Sequence, residues 1–174
     1  VELTARPSRR EALRRIAFMP QSASAPGNLS VLETVTYLTW MRGAPWSRAR
    51  QQARQALALV DLEKMSDTRC KALSGGMQRR VWLAQALASE ADVLLLDEPS
   101  TGLDPRQRQL MLTALHRAAE TGATIVLSSH VLEDVADLAD HLVVLTHGTV
   151  AFDAAMPESL DSTWFLDVTD GVRP

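Results

Sequence analysis

Residues 92–99, "DVLLLDEP", constrain the fold more than any other stretch. The four apolar residues Val93 to Leu96 are too few for a typical helix, and their unbroken run does not suit a strand with one face in water. They read as a strand buried on both faces, as in a parallel sheet. Asp97 and Glu98 close it and Pro99 ends it. Adjacent residues at a strand end point in different directions. One carboxylate can therefore hold a metal ion or its waters while the other orients or deprotonates a nucleophile. An isolated Asp-Glu pair is more often an exposed acidic turn. The apolar run in front of it favours a site.

From residue 91 onward the pattern alternates. "ATIVLSSH" reads as another buried strand, "VLEDVADLAD" as a helix and "HLVVLTHG" as a further strand. "TVAFDA" can pair with that strand through a turn at His147-Gly148. Asp104-Pro105 opens the intervening helix, with Asp as cap and Pro at the first position, and Gly122 ends it. Strands alternating with helices imply an α/β fold built on a parallel sheet. Upstream, the apolar run "IAFMP" stops at Pro20, with Gln21 just beyond it, and "SASAPGN" reads as a loop. Residues 22–90 hold no clear strand. Ser30 and Glu33 form a capping box for a helix that Gly43 closes. A second helix has Ser47 as its cap and Ala53, Ala56, Leu57 and Val60 on one face. Trp40 and Trp46 read as core or interface packing. The chain is an α/β core interrupted by a helical insert.

Within that insert, "KALSGGMQRRV" (71–81) sets Ser74, Gly75 and Gly76 at a helix start. Free N–H groups with little side chain around them suit a phosphate. Met77, Val81, Ala84 and Ala88 fall on one helical stripe. Arg79 and Arg80 oppose the helix dipole, at about 0.3–1 kcal/mol each. They face either an acidic partner surface or water. Ligands of open parallel sheets bind beyond the carboxyl ends of the strands, and Gln21, Asp97, Glu98 and His130 all sit at such ends. His130 suits the sensing or stabilising of a phosphate there. His116, His141 and His147 read as solvated or structural.

Hydrophobic residues are 46% of the 174, enough for a core, and a net charge of −3 weighs against nucleic acid as a main partner. Cys70 is the one cysteine, so no internal disulfide or zinc cluster is expected and a reducing, cytoplasmic setting fits. No apolar run approaches the ~20 residues of a membrane span, so any work at a membrane goes through another chain. Val1 in place of Met points to a fragment or a literally read start codon. Lys64 and Lys71 are the only lysines, and arginine carries nearly all the positive charge.

Taken together, these motifs resemble those of the ATP-binding cassette (ABC) ATPases over residues 15–153. "LSGGMQ" resembles the family signature, with Met77 where glutamine is more usual. "VLLLDEPS" resembles the Walker B strand, "TGLDP" the D-loop, "SSH" the switch histidine and "MPQ" the Q-loop. Met77 and the tail "SLDSTWFLDVT" resemble the exporter branch for lipophilic substrates. The resemblance implies a P-loop NTPase-like parallel sheet core with an inserted helical subdomain. Its parts would be a core fragment (1–21), a helical subdomain with the signature (22–90), an α/β core (91–153) and a C-terminal extension (154–174). It implies ATP and Mg²⁺ as ligands, with Glu98 and His130 catalytic. Gln21, Ser74, Gly75, Gly76 and Asp104 would contact nucleotide, and Asp97 and Gln21 the metal. It also implies two partners, a transmembrane permease subunit and a second ABC ATPase subunit arranged head to tail. The cytoplasmic face of the cell membrane would be its location, reached only through the permease.

One departure is large. The family's N-terminal β-region, adenine-stacking aromatic and phosphate loop (Walker A, G-x-x-x-x-G-K-[ST]) would precede residue 15, and fourteen residues cannot hold them. Loss of a single positioned donor can cost ~2.7–4 kcal/mol of transition-state stabilisation. The chain is thus expected to be N-terminally truncated and to hydrolyse ATP negligibly alone. An alternative is a non-catalytic partner that donates its signature to a complete ABC subunit, with Glu98 idle. A soluble ABC protein of translation or repair is a third reading, but its usual second cassette or coiled-coil insertion is not seen.

Overall fold

The computed structural model describes residues 11–22 and 27–170. The polar fringe at residues 1–10 and most of the loop read at 22–28 lie outside them. Two compact units divide between Ser128 and Ser129.

In the first unit, β1 (Ile16–Met19), β2 (Val93–Asp97) and β3 (Thr124–Ser128) form a parallel sheet with β2 in the centre. Met19 pairs with Leu96, and Asp97 with Ser128, so the carboxyl ends of all three strands share one edge. Between β1 and β2 run three helices: α1 (Val31–Met41), α2 (Trp46–Leu59) and α3 (Gly75–Ala88). They pack on one another, and α3 also packs on β1. The next helix, α4 (Pro105–Glu120), precedes β3 and packs on it. This is the expected α/β core with a helical insert.

Local sequence explains the helix ends. Ser30 Oγ accepts from Glu33 N at 3.2 Å and the Glu33 carboxylate accepts from Ser30 N at 2.8 Å, completing the capping box. Gly43 follows α1 with φ 104°, a left-handed conformation that costs glycine little. Ser47 is not the cap of α2. That helix begins at Trp46, with Pro45 at the cap position, whose φ of −57° and extended ψ set the entry without a side-chain bond. The small-residue face is as read: Ala53, Ala56, Leu57 and Val60 are buried. Cys70 is buried too, its sulfur 3.2 Å from the Thr34 hydroxyl.

The sheet corrects one expectation. Ala17, Met19, Leu94 and Leu96 are buried on one face, but Phe18 and Val126 on the other are each 54% exposed. In register with them, Leu95 is only half-buried. β2 and β3 are thus covered on a single face among the described residues, and β3, an edge strand, is more open still.

The second unit contains α5 (Leu132–Leu138), β4 (His141–Thr146), β5 (Thr149–Ala155) and α6 (Ser162–Asp170). β4 pairs antiparallel with β5, as the sequence leads one to expect, in a two-stranded ladder. The anticipated turn joins them: His147 and Gly148 take φ of 49° and 79°, the positive pair that a tight hairpin turn needs. Phe152 packs edge-to-face on Trp164 of α6, ring centroids 5.0 Å apart.

Replacing Ser30 by Ala removes one half of the α1 capping box and should lower stability by about 1 kcal/mol in denaturant titration. The bond from the Ser30 amide, foremost, holds the Glu33 pKa below its ordinary 4.5. A depressed carboxylate stabilises the fold above its unfolded pKa and loses that effect as pH falls through the folded one. Glu33→Gln should therefore cost stability at pH 7 and progressively less below pH 4.5.

Candidate functional site

At the sheet edge, β1 runs into Pro20 and Gln21, β2 into Glu98 and Pro99, and the start of α3 stands opposite. Between them lies a groove of about 370 Å³ lined by Gln21, Gly75, Gly76, Arg79, Trp82 and Thr101, among others.

The two carboxylates at the end of β2 are held by neighbours in the fold. Asp97 Oδ1 accepts from Ser128 Oγ at 2.7 Å, a bond made possible by the pairing of those two residues across β2 and β3. The Glu98 backbone turns left-handed, with φ 49°. Such a conformation costs a non-glycine residue roughly 1–2 kcal/mol. The Glu98 N–H reaches both the carbonyl and the hydroxyl of Ser128 at 3.1 Å. The Glu98 Oε2 accepts from Thr101 Oγ1 at 3.0 Å. Both carboxylates are half-buried and oriented.

The facing helix start is capped by Ser74, whose Oγ accepts from Met77 N at 3.3 Å. Its two glycines differ. A Cβ on Gly76 would fall 2.6 Å from Gln107 Oε1. Gln107 belongs to the first turn of α4, where its amide donates to Asp104 Oδ1 at 2.8 Å. A Cβ on Gly75 would meet nothing within 4 Å. Thus Gly76 is packed against Gln107 and the Gly102 carbonyl, while Gly75 is open among the described residues.

Arg79 and Arg80 answer to neither expectation, an acidic partner or open water. Arg80 is buried, and its Nη1 donates to the carbonyls of Val60 at 2.8 Å and Asp61 at 3.2 Å, the C-terminal end of α2. Arg79 crosses the groove. Its Nη1 donates to Gln21 O at 2.6 Å and its Nε to Pro99 O at 3.3 Å. Its Nη2 donates to Asp97 O at 3.4 Å and, most closely, to Glu98 O. Burial pulls the Arg79 pKa down, while Glu98 and Asp97 act the other way. Arginines placed badly for their own helix dipole are here well placed for carbonyls of other segments.

Gln21, Gly75 and Gly76 therefore line one groove. Asp97 and Glu98 are joined to it through Arg79 and Thr101, Asp104 caps the helix that backs Gly76, and Ser74 caps α3. His130 is exposed and belongs to the second unit, shortly before α5. Sequence reading missed Thr101, Ser128 and Gln107. The signal for Thr101 was its spacing of three from Glu98, and for Ser128 the end of the neighbouring strand.

The family model described as ABC transporter matches residues 2–101, more than half of the chain. The Nod factor export ATP-binding protein I of Burkholderia orbicola (strain AU 1054) is 35% identical over 97% of this chain and 56% of its own length. The daunorubicin/doxorubicin resistance ATP-binding protein DrrA of Streptomyces peucetius is 34% identical over 83% of this chain and 44% of its own. The chain spans about half the length of these curated relatives. A solved ATP-binding subunit of an ABC transporter superposes with a TM-score of 0.79 at 23% identity, over 90% of this chain and 64% of that one. A structure described as an inward-facing metal-chelate type ABC transporter gives 0.75 at 28% identity, over 88% and 64%.

Replacement of Arg80 by Met keeps the side chain's length but strips the donors from the end of α2. It should cost about 1.5–3 kcal/mol, as for other bonds to charged groups. The shift in urea midpoint at constant slope measures it.

Proposed function

Because this chain belongs to the ABC transporter family, we propose that it is part of an ATP-binding subunit that couples ATP binding and hydrolysis to export through a separate membrane-spanning subunit. Gly75 carries this reading. A glycine that faces open space among the described residues, at a helix start whose first N–H groups have no partner within the helix, suits an anion brought by another molecule. The names of the relatives, which speak of Nod factor export and of drug resistance, support the direction of transport.

In this reading Ser74, Gly75 and Gly76 address the γ-phosphate of an ATP held by a second ABC subunit, packed head to tail. The chain's own strand ends serve the other composite site. Asp97 and Gln21 hold Mg²⁺, Glu98 orients and deprotonates the attacking water, His130 stabilises the γ-phosphate and Asp104 contacts nucleotide through the D-loop. No cluster of three His, Cys, Asp or Glu side chains occurs among the described residues. That donor set fits Mg²⁺, which takes one or two carboxylates and fills its shell with phosphate and water. When bound, the ion neutralises charge on the phosphate oxygens. No helix among the described residues is long and apolar enough to cross a membrane. Docking at the cytoplasmic face of the cell membrane through the permease belongs to the same reading.

Gly75→Ala should leave the melting temperature unchanged or slightly raised, since the added methyl meets nothing and alanine favours the helix. In the assembled transporter, Gly75→Asp should abolish ATP-driven closure on the partner subunit, read by nucleotide-dependent dimerisation. Undiminished closure would overturn the reading. In the same assembled transporter, Glu98→Gln should lower ATP turnover by roughly 10²–10⁴-fold, the usual worth of a general base. The purified 174 residues, which include no G-x-x-x-x-G-K-[ST], should turn over ATP negligibly.

A further inference from the structure

We propose that Arg79 is a positioning residue that locks the start of α3 to the ends of β1 and β2 and holds Glu98 in its left-handed turn. Four carbonyls converge on this one guanidinium, those of Gln21, Asp97, Glu98 and Pro99. Three of them are consecutive and flank the strained residue. A chain turning left-handed at a residue with a Cβ needs external support to stay there. Within the sheet and the turn itself, Ser128 supports the Glu98 N–H, and Thr101 N donates back to Glu98 O at 3.3 Å. Arg79 alone among these groups comes from the helical insert.

The consequence is mechanical. Gly75 lies four residues before Arg79 on α3, and Glu98 lies at the other end of the guanidinium's bonds. A displacement of α3 is transmitted to the backbone that aims the Glu98 carboxylate, and to Gln21 in the same movement. Lysine cannot replace this, because one ammonium with three donors on a flexible stem does not span carbonyls from two strand ends.

The test is amide hydrogen exchange in the wild-type chain and its Arg79→Lys and Arg79→Met variants. The reporters are Thr101 N–H and Leu103 N–H, bonded to Glu98 O and Ser100 O within the turn. Exchange at both should rise about tenfold or more in each variant, while amides of α2 around Ala53 stay within about twofold of wild type. Wild-type protection at Thr101 and Leu103 in a folded Arg79→Lys chain would overturn the proposal. So would equal loss of protection at every amide in both variants, which marks a general structural role.

A second arm rests on the proposed function of Glu98. In the assembled ATPase, Arg79→Lys should lower kcat about tenfold or more with KM for ATP within about twofold. Faster exchange with unchanged kcat supports the tether and removes Glu98 from the chemistry. Reduced kcat with unchanged exchange removes the tether.

Discussion

Guanidinium groups bonded to backbone carbonyls tie the helical insert to the sheet and its helices to one another, and the arrangement of the first unit depends on them. Arg42, just past α1, donates to the carbonyls of Leu13, Arg14 and Ile16 around the start of β1. Arg80 closes the end of α2, and Arg79 reaches the far ends of β1 and β2. Most of these carbonyls lie at or next to segment ends, where regular partners run out. Desolvation opposes each, and it lowers the pKa of both Arg42 and Arg79. The planar fork with five donors meets several acceptors from one ordered side chain, so less entropy is lost per bond than separate side chains would lose.

Those joints set the geometry of the acidic edge. Parallel pairing brings Asp97 beside Ser128 and ends β1 next to β2. The left-handed turn at Glu98 then separates the two carboxylates in direction. Ser128 and Thr101 hold the carboxylates themselves, and Arg79 holds the backbone behind them. A carboxylate oriented before its ligand arrives loses little reorganisation energy when charge develops nearby, the general advantage of a preorganised site.

Much of this was legible in the sequence. The apolar run ending in Asp97 marked β2, the Ser30/Glu33 box marked the start of α1, and Asp104-Pro105 marked α4. Each is a local rule in which one or two residues decide the backbone. What was not legible depended on contacts between distant segments. Whether the second face of β2 is covered is decided by what lies against Phe18 and Val126, not by the strand's own letters. The roles of Arg79 and Arg80 were hidden for the same reason. Helix-dipole reasoning weighs an arginine against its own helix, whereas both side chains leave it for carbonyls about 20 residues away in sequence or more.

Reliance on arginine has a further consequence for chemistry done on the chain. Its two lysines, Lys64 and Lys71, are both exposed and neither belongs to a joint. Acetylation and amine-directed reagents therefore cannot loosen the contacts that bind helix to sheet. Lys71 stands three residues before Ser74, so a label on it would report on the mouth of the groove while the framework stays unmodified.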